Sequence, residues 1–156
     1  MKEKIKAATE FLSQYNTIQK SREIIDEQMF KIASLLRELV REEQGASENA
    51  LSRFDAYKSK LYDDLAELKM RRNALCLRQV LIENVVNSLN KQEAQIIKRF
   101  YFSENTHRAS DDLMESLGFE KTHIYRLKNR ALSKISDIID EVDSVGTLCD
   151  EAREQT

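Results

Sequence analysis

Proline occurs nowhere in this chain, and glycine stands only at positions 45, 118 and 146 of its 156 residues. Proline removes a backbone donor and glycine gains conformational freedom on unfolding, so these two residues interrupt helices most strongly. A chain nearly free of both is suited to helices of unusual length. β-branched residues never alternate with polar ones as a half-buried strand requires, and tryptophan is absent. The expected fold class is all-α.

Apolar spacing divides that helical content. Before Gly45, Ala8, Phe11, Tyr15, Ile18, Ile25, Met29, Ile32, Leu36 and Leu39 follow one another in steps of three and four, interrupted only at Arg22. After it, Ser47 or Glu48 is suited to open a second helix. There the series is Leu51, Phe54, Leu61, Leu65, Leu68, Leu75, Ile82, Val86 and Leu89, with Lys58, Arg72 and Gln79 in polar slots. Both are heptad patterns. Two helices of about 40 residues joined by a short loop make a long antiparallel hairpin, a coiled coil spanning residues 1–89. A parallel pairing of two chains would share the same pattern.

The apolar faces are wider than a two-helix seam needs. Ile24, Phe30, Leu35 and Val40 flank the first series; Tyr62, Val80 and Leu81 flank the second. A homodimer of hairpins would cover them. So would a C-terminal domain folded back on the hairpin.

Past Leu89, Asn90 and Glu93 have the spacing of a capping box opening KQEAQIIKRFYF. Polar SENTHRAS reads as a loop. Ser110 with Asp111 and Asp112 reads as the next helix start, because first-turn acids suit a helix N-terminus. A last helix is expected from about Glu120 to Asp140, closing a small domain of residues 90–140. The remaining residues 141–156 read as an acidic flexible tail.

Gly118 interrupts an otherwise good amphipathic run, at about 1 kcal/mol relative to alanine in a helix interior. Leu113, Leu117, Phe119, Ile124 and Leu127 surround it at spacings that let two short helices bury apolar side chains in a steep crossing. That is the layout of a helix-turn-helix, whose turn needs a residue tolerant of left-handed backbone. Charge is polarised about the same point. From Phe119 to Ile135 the one acid is Glu120, against Lys121, Arg126, Lys128, Arg130 and Lys134, whereas Asp111, Asp112 and Glu115 precede the turn. With a formal net charge of −2 the whole protein does not attract polyanions, so a basic face on one helix is a local footprint for phosphate.

The residues LNKQEAQIIKRFYF and SDDLMESLGFEKTHIYRLKNRALSKI resemble region 4 of bacterial sigma factors, which reads the −35 promoter element. The likeness covers residues 89–135. A long helical leader joined to such a domain is similar to the small phage-borne regulators of the ArpU and RinA type, which activate late or packaging genes. Met114 departs from the small residue usual in the helix crossing, and nothing here resembles the sigma region that melts DNA. The resemblance implies a phage or prophage transcription regulator that binds double-stranded DNA. It implies base-edge contacts by Lys121, Thr122 and Arg126, with Glu120, His123 and Tyr125 close by. Lys128 and Arg130 are then expected at phosphates, His123 in a positioning role, and the Tyr125 ring on the crossing with its hydroxyl toward phosphate. Thr122 has an alternative role as a first-turn helix residue.

Other classes find little support. No phosphate loop, nucleophile with a base, or carboxylate pair appears, so an enzyme is not expected. Cys76 and Cys149 lack metal-site spacing, His107 reads as a loop residue, and neither metal nor cofactor is expected. Cys76 is expected in the core. No signal peptide or membrane span is read from the sequence, so the expected compartment is cytoplasmic. A second functional reading is an adaptor without DNA, docking on RNA polymerase or another partner through the hairpin.

Overall fold

The computed structural model describes residues 2–154, with side chains described through residue 143. It is all-helical, and its first two helices are long and packed together. The helices are α1 (Lys2–Glu43), α2 (Glu48–Asn87), α3 (Lys91–Ile97), α4 (Ala109–Leu117) and α5 (Lys121–Glu154), with a π-helical stretch over Lys98–Phe102 continuing α3. The chain divides into two compact units, Met1–Thr17 with Val80–Thr156, and Ile18–Gln79. The division therefore passes through α1 and α2, whereas helix-end signals in the sequence suggest one near residue 89.

Within Ile18–Gln79 the hairpin turns at Gly45, whose φ of 93° lies in the left-handed region. The Ser47 hydroxyl accepts the Ala50 N–H and opens α2. Leu36, Leu39 and Leu61 form a buried cluster, with Ile32 and Phe54 against it. Ile18 and Ile25 are also buried. At about 1.5–3 kcal/mol for each fully buried large aliphatic side chain, this seam is what offsets the entropy of ordering two long helices.

The polar slots of the two heptad series pair across that seam. Arg22 Nη1 donates to Gln79 Oε1, and Gln79 Nε2 donates to Gln19 Oε1 at 3.0 Å. Arg72 pairs with Asp26 at 2.7 Å, and Lys58 with Glu43. Gln79 is only 3% exposed, so its amide depends on those partners. Cys76 is half-buried, between core and solvent.

Within the other unit, residues Ala8, Phe11, Leu12, Ile82, Val85 and Val86 of the long helices are buried. Three consecutive aromatics of the π-helical stretch are used separately there. The Phe102 ring stacks on Tyr15 with centroids 3.9 Å apart. The Tyr101 carbonyl accepts from Asn16 Nδ2 at 3.0 Å. Phe100 packs toward α4 and α5. The Phe100 and Phe102 rings thus meet different partners, while Tyr101 contributes its backbone carbonyl.

Two expectations are corrected. Helix α4 begins at Ala109 after Arg108, with no side-chain cap, so Ser110 lies inside it. The backbone meets one of the free first-turn donors instead, the Ala109 N–H donating to the Thr106 carbonyl at 3.2 Å. Helix α5 does not stop at Asp140 but continues to Glu154. The side chains of residues 144–156 lie outside the described residues, and the expectation of a flexible tail falls there. Among the described residues no helix is long and apolar enough to cross a membrane.

Candidate nucleic-acid interface

Helix α5 is set by what lies before it. Gly118 ends α4 at φ 71°, ψ 21°, and its N–H returns to the Met114 carbonyl at 3.0 Å. Nothing lies within 4 Å of where a Cβ would stand, so the requirement for glycine is conformational and not steric. The Ile124 N–H donates to the Glu120 carbonyl at 3.1 Å, and α5 begins.

Below the turn, Ile96, Leu113 and Ile124 are buried together, with Phe100, Leu117, Phe119 and Leu127 packed against them. All five apolar residues read around the turn are in this cluster. Ile96 and Phe100, from α3 and the π-helical stretch, are additions that no local spacing signalled. Met114 is exposed and lies outside the cluster, so its size does not open the crossing.

Two polar ties fix the surrounding elements. Glu93, 1% exposed, accepts from Lys134 Nζ at 2.6 Å, while its N–H donates to Asn90 Oδ1 at 2.8 Å and its carboxylate also accepts from the Asn90 amide. The start of α3 is thereby joined to α5. Arg99 donates to the Asn105 carbonyl at 2.8 Å and to Asp112 at 2.6 Å, holding the loop before α4. Sequence reading named Asn90 and Glu93 as a local cap. It missed Lys134 as the tertiary partner of Glu93, and the Arg99 tie to Asn105 and Asp112, because neither pairing follows a helical repeat.

At about 100° per residue, Thr122, Arg126 and Asn129 fall on the side of α5 opposite Ile124 and Ala131. All three are exposed, whereas Ile124 and Ala131 are buried. Lys121 and Tyr125 lie on one flank of this outward face, His123 and Arg130 on the other, and all four are exposed. Among the described residues no ion pair engages Lys121, Arg126 or Arg130. Asn129 was not singled out from the sequence, although the helical repeat that places Thr122 and Arg126 together includes it.

No family model, curated protein or solved structure matches this chain.

The remaining site residues are held differently. The His123 ring meets Phe119 edge-on with centroids 4.7 Å apart. The Tyr125 ring lies 5.9 Å from that of Phe100. Lys128 is half-buried, its ammonium 4.4 Å from the centre of the Phe100 ring and 5.5 Å from that of Tyr125. Desolvation by this burial lowers its pKa from the ordinary lysine value. Of the basic residues expected at DNA, Lys128 is the one turned into an aromatic setting, which suits holding α5 against the π-helical stretch more than reaching a phosphate. His107 stands exposed in the loop, its N–H donating to Asn105 Oδ1 at 3.1 Å.

Proposed function

We propose that this protein is a sequence-specific DNA-binding regulator of transcription, phage or prophage encoded, which lays the first turns of α5 in the major groove. The observation that carries this reading is the outward face of α5. A donor-rich set, Thr122, Arg126 and Asn129, projects from a helix whose opposite side is fixed in a buried crossing, with Lys121 and Arg130 beside it. Arginine and lysine donate to guanine O6 and N7, asparagine bonds adenine in two places, and the threonine methyl suits thymine. Arg130 serves a phosphate, and Lys128 steadies the helix. Two copies joined through their hairpins would present two such helices to half-sites one or more helical turns apart.

The test is selection of bound fragments from a random duplex library at about 150 mM salt, where non-specific electrostatic binding is already weakened. Parent protein is compared with the Lys121→Ala, Arg126→Ala double variant. A motif enriched by the parent and lost in the variant supports the reading; no enrichment overturns it.

A second reading, an adaptor that docks on RNA polymerase or another protein through the hairpin, is favoured by a specific observation. Phe30, Tyr62, Met70 and Leu77 are large apolar residues exposed on α1 and α2. Failure of the selection would move this reading to first place.

A further inference from the structure

The outward face of α5 is open over a short length. Thr122, Arg126 and Asn129 follow one another at steps of four and three, within about 60° of arc. All three are exposed, and they span about 10.5 Å along the helix axis. Toward the N-terminus the face stops at the Gly118 turn, where α4 ends. Toward the C-terminus the next positions on the same side are Ser133 and Asp137. Ser133 is partly buried, and Asp137 is paired with Lys4 of α1 at 2.9 Å. An acid tied to another helix ends the stretch that a polyanion can follow. Tyr125, on the flank, lies 5.9 Å from the Phe100 ring and off the row.

We infer, on the proposal that α5 enters the major groove, that it lies along the groove and reads three successive base pairs, a guanine·cytosine pair with an adenine·thymine pair on each side. The chemistry of each residue selects one pair. The Arg126 guanidinium donates to guanine O6 and N7, the Asn129 amide bonds adenine at N6 and N7, and the Thr122 methyl packs on that of thymine. Spacing sets their order. At about 3.4 Å per step, the outer members of three base pairs stand about 6.8 Å apart. A helix inclined to the duplex axis covers less rise than its own length, so about 10.5 Å of helix corresponds to this span. Helices that follow the groove in this way present base-reading residues over about eight positions, at spacings that include the four and three found here. End-on insertion would engage Lys121 and Thr122 and leave Asn129 beyond the bases. Asn129 is thereby a specificity-determining residue, and its role distinguishes the two ways of docking.

The measurement is selection from a random duplex library at about 150 mM salt, with the full chain and its Asn129→Ala and Asn129→Arg variants. The parent is expected to enrich a guanine·cytosine pair flanked on both sides by adenine·thymine pairs. Asn129→Ala should lose the preference at one outer pair, by roughly five- to 150-fold against the competing bases, and keep the other two. Asn129→Arg should exchange that outer pair for guanine·cytosine, a gain that a misfolded variant could not give. A parent motif that both Asn129 variants leave unchanged overturns the lengthwise arrangement while the DNA-binding proposal stands. A parent motif without the three successive pairs does the same. No motif from the parent overturns both.

Discussion

Lys134 Nζ donates to the buried Glu93 carboxylate across 41 residues of sequence, at 2.6 Å. The bond couples the first turn of α3 to the helix that presents the candidate DNA-reading face, because Glu93 is also the residue through which Asn90 caps α3. Glu93 is almost wholly buried while Lys134 is partly exposed, so the two ends of the bond are unequal. Removing the lysine leaves a carboxylate that water cannot reach with the Asn90 amide as its remaining side-chain donor and no counter-charge. Lys134→Met is therefore expected to destabilise the fold by about 1–3 kcal/mol, and the Glu93→Leu, Lys134→Met pair by less than the two single losses combined. Urea unfolding of the four proteins checks this; simple additivity would show that the two residues act independently.

Gly118→Ala should cost about 1–2 kcal/mol, the ordinary penalty for a side chain in left-handed backbone. No neighbour lies within reach of the new methyl group, so the crossing itself is undisturbed. Gly118→Asn should cost less, since asparagine tolerates this conformation. Thermal and urea unfolding measure both. Equal losses in the two variants would mean that something other than φ governs the site.

The basic residues of α5 should separate by role when DNA affinity is followed against salt. Lys121→Ala and Arg126→Ala are expected to relax preference at particular base pairs, each costing about 1–3 kcal/mol. Arg130→Ala should weaken all sequences alike and reduce the salt slope by about one unit. Lys128→Met should leave that slope unchanged, because its ammonium is over aromatic rings. A slope reduced as much by Lys128→Met as by Arg130→Ala would return Lys128 to the phosphate contacts.

Lys128 also gives a pH signature. Its pKa is lowered in the folded chain, so between that value and the ordinary lysine pKa the unfolded chain holds a proton that the folded chain has released. Stability linked to this group therefore rises with pH through that window, and below it the folded state bears the cost of a desolvated ammonium. The stability of the parent relative to Lys128→Met should accordingly increase as alkaline pH approaches the normal lysine range. An unchanged difference between the two proteins would show that the burial does not matter energetically.

In the hairpin, Arg22→Ala should destabilise by about 1–3 kcal/mol, because the buried Gln79 amide oxygen loses its partner. Replacing both residues by apolar ones, Arg22→Met with Gln79→Leu, should be close to neutral in stability. Denaturant unfolding of the single and double variants decides between a paired polar layer and two unrelated substitutions.

Much of this architecture is already present in the sequence, and for a local reason. Helical periodicity and the special backbone needs of Gly45 and Gly118 act within a few residues. The absence of proline with steps of three and four predicts two long helices and the apolar set around the turn, and the Asn90–Glu93 spacing predicts the α3 cap. That the two long helices pair within one chain was decided by the fold. The polar slots at Arg22, Lys58, Arg72 and Gln79 are visible too, but only as interruptions. Packing decided that each finds a partner across the seam, since a polar side chain excluded from water has to be matched by whatever the opposite helix places there. The same holds for Lys128. Its charge is legible in sequence, but its environment was decided by a π-helical stretch that delivers Phe100 beneath it. Residues 2–17 show the limit most plainly. Their heptad spacing continues the hairpin pattern without a break, yet the Tyr15 ring stacks on Phe102 and the Asn16 amide donates to the Tyr101 carbonyl. Periodicity specifies which side of a helix is apolar; only the folded chain specifies what that side meets.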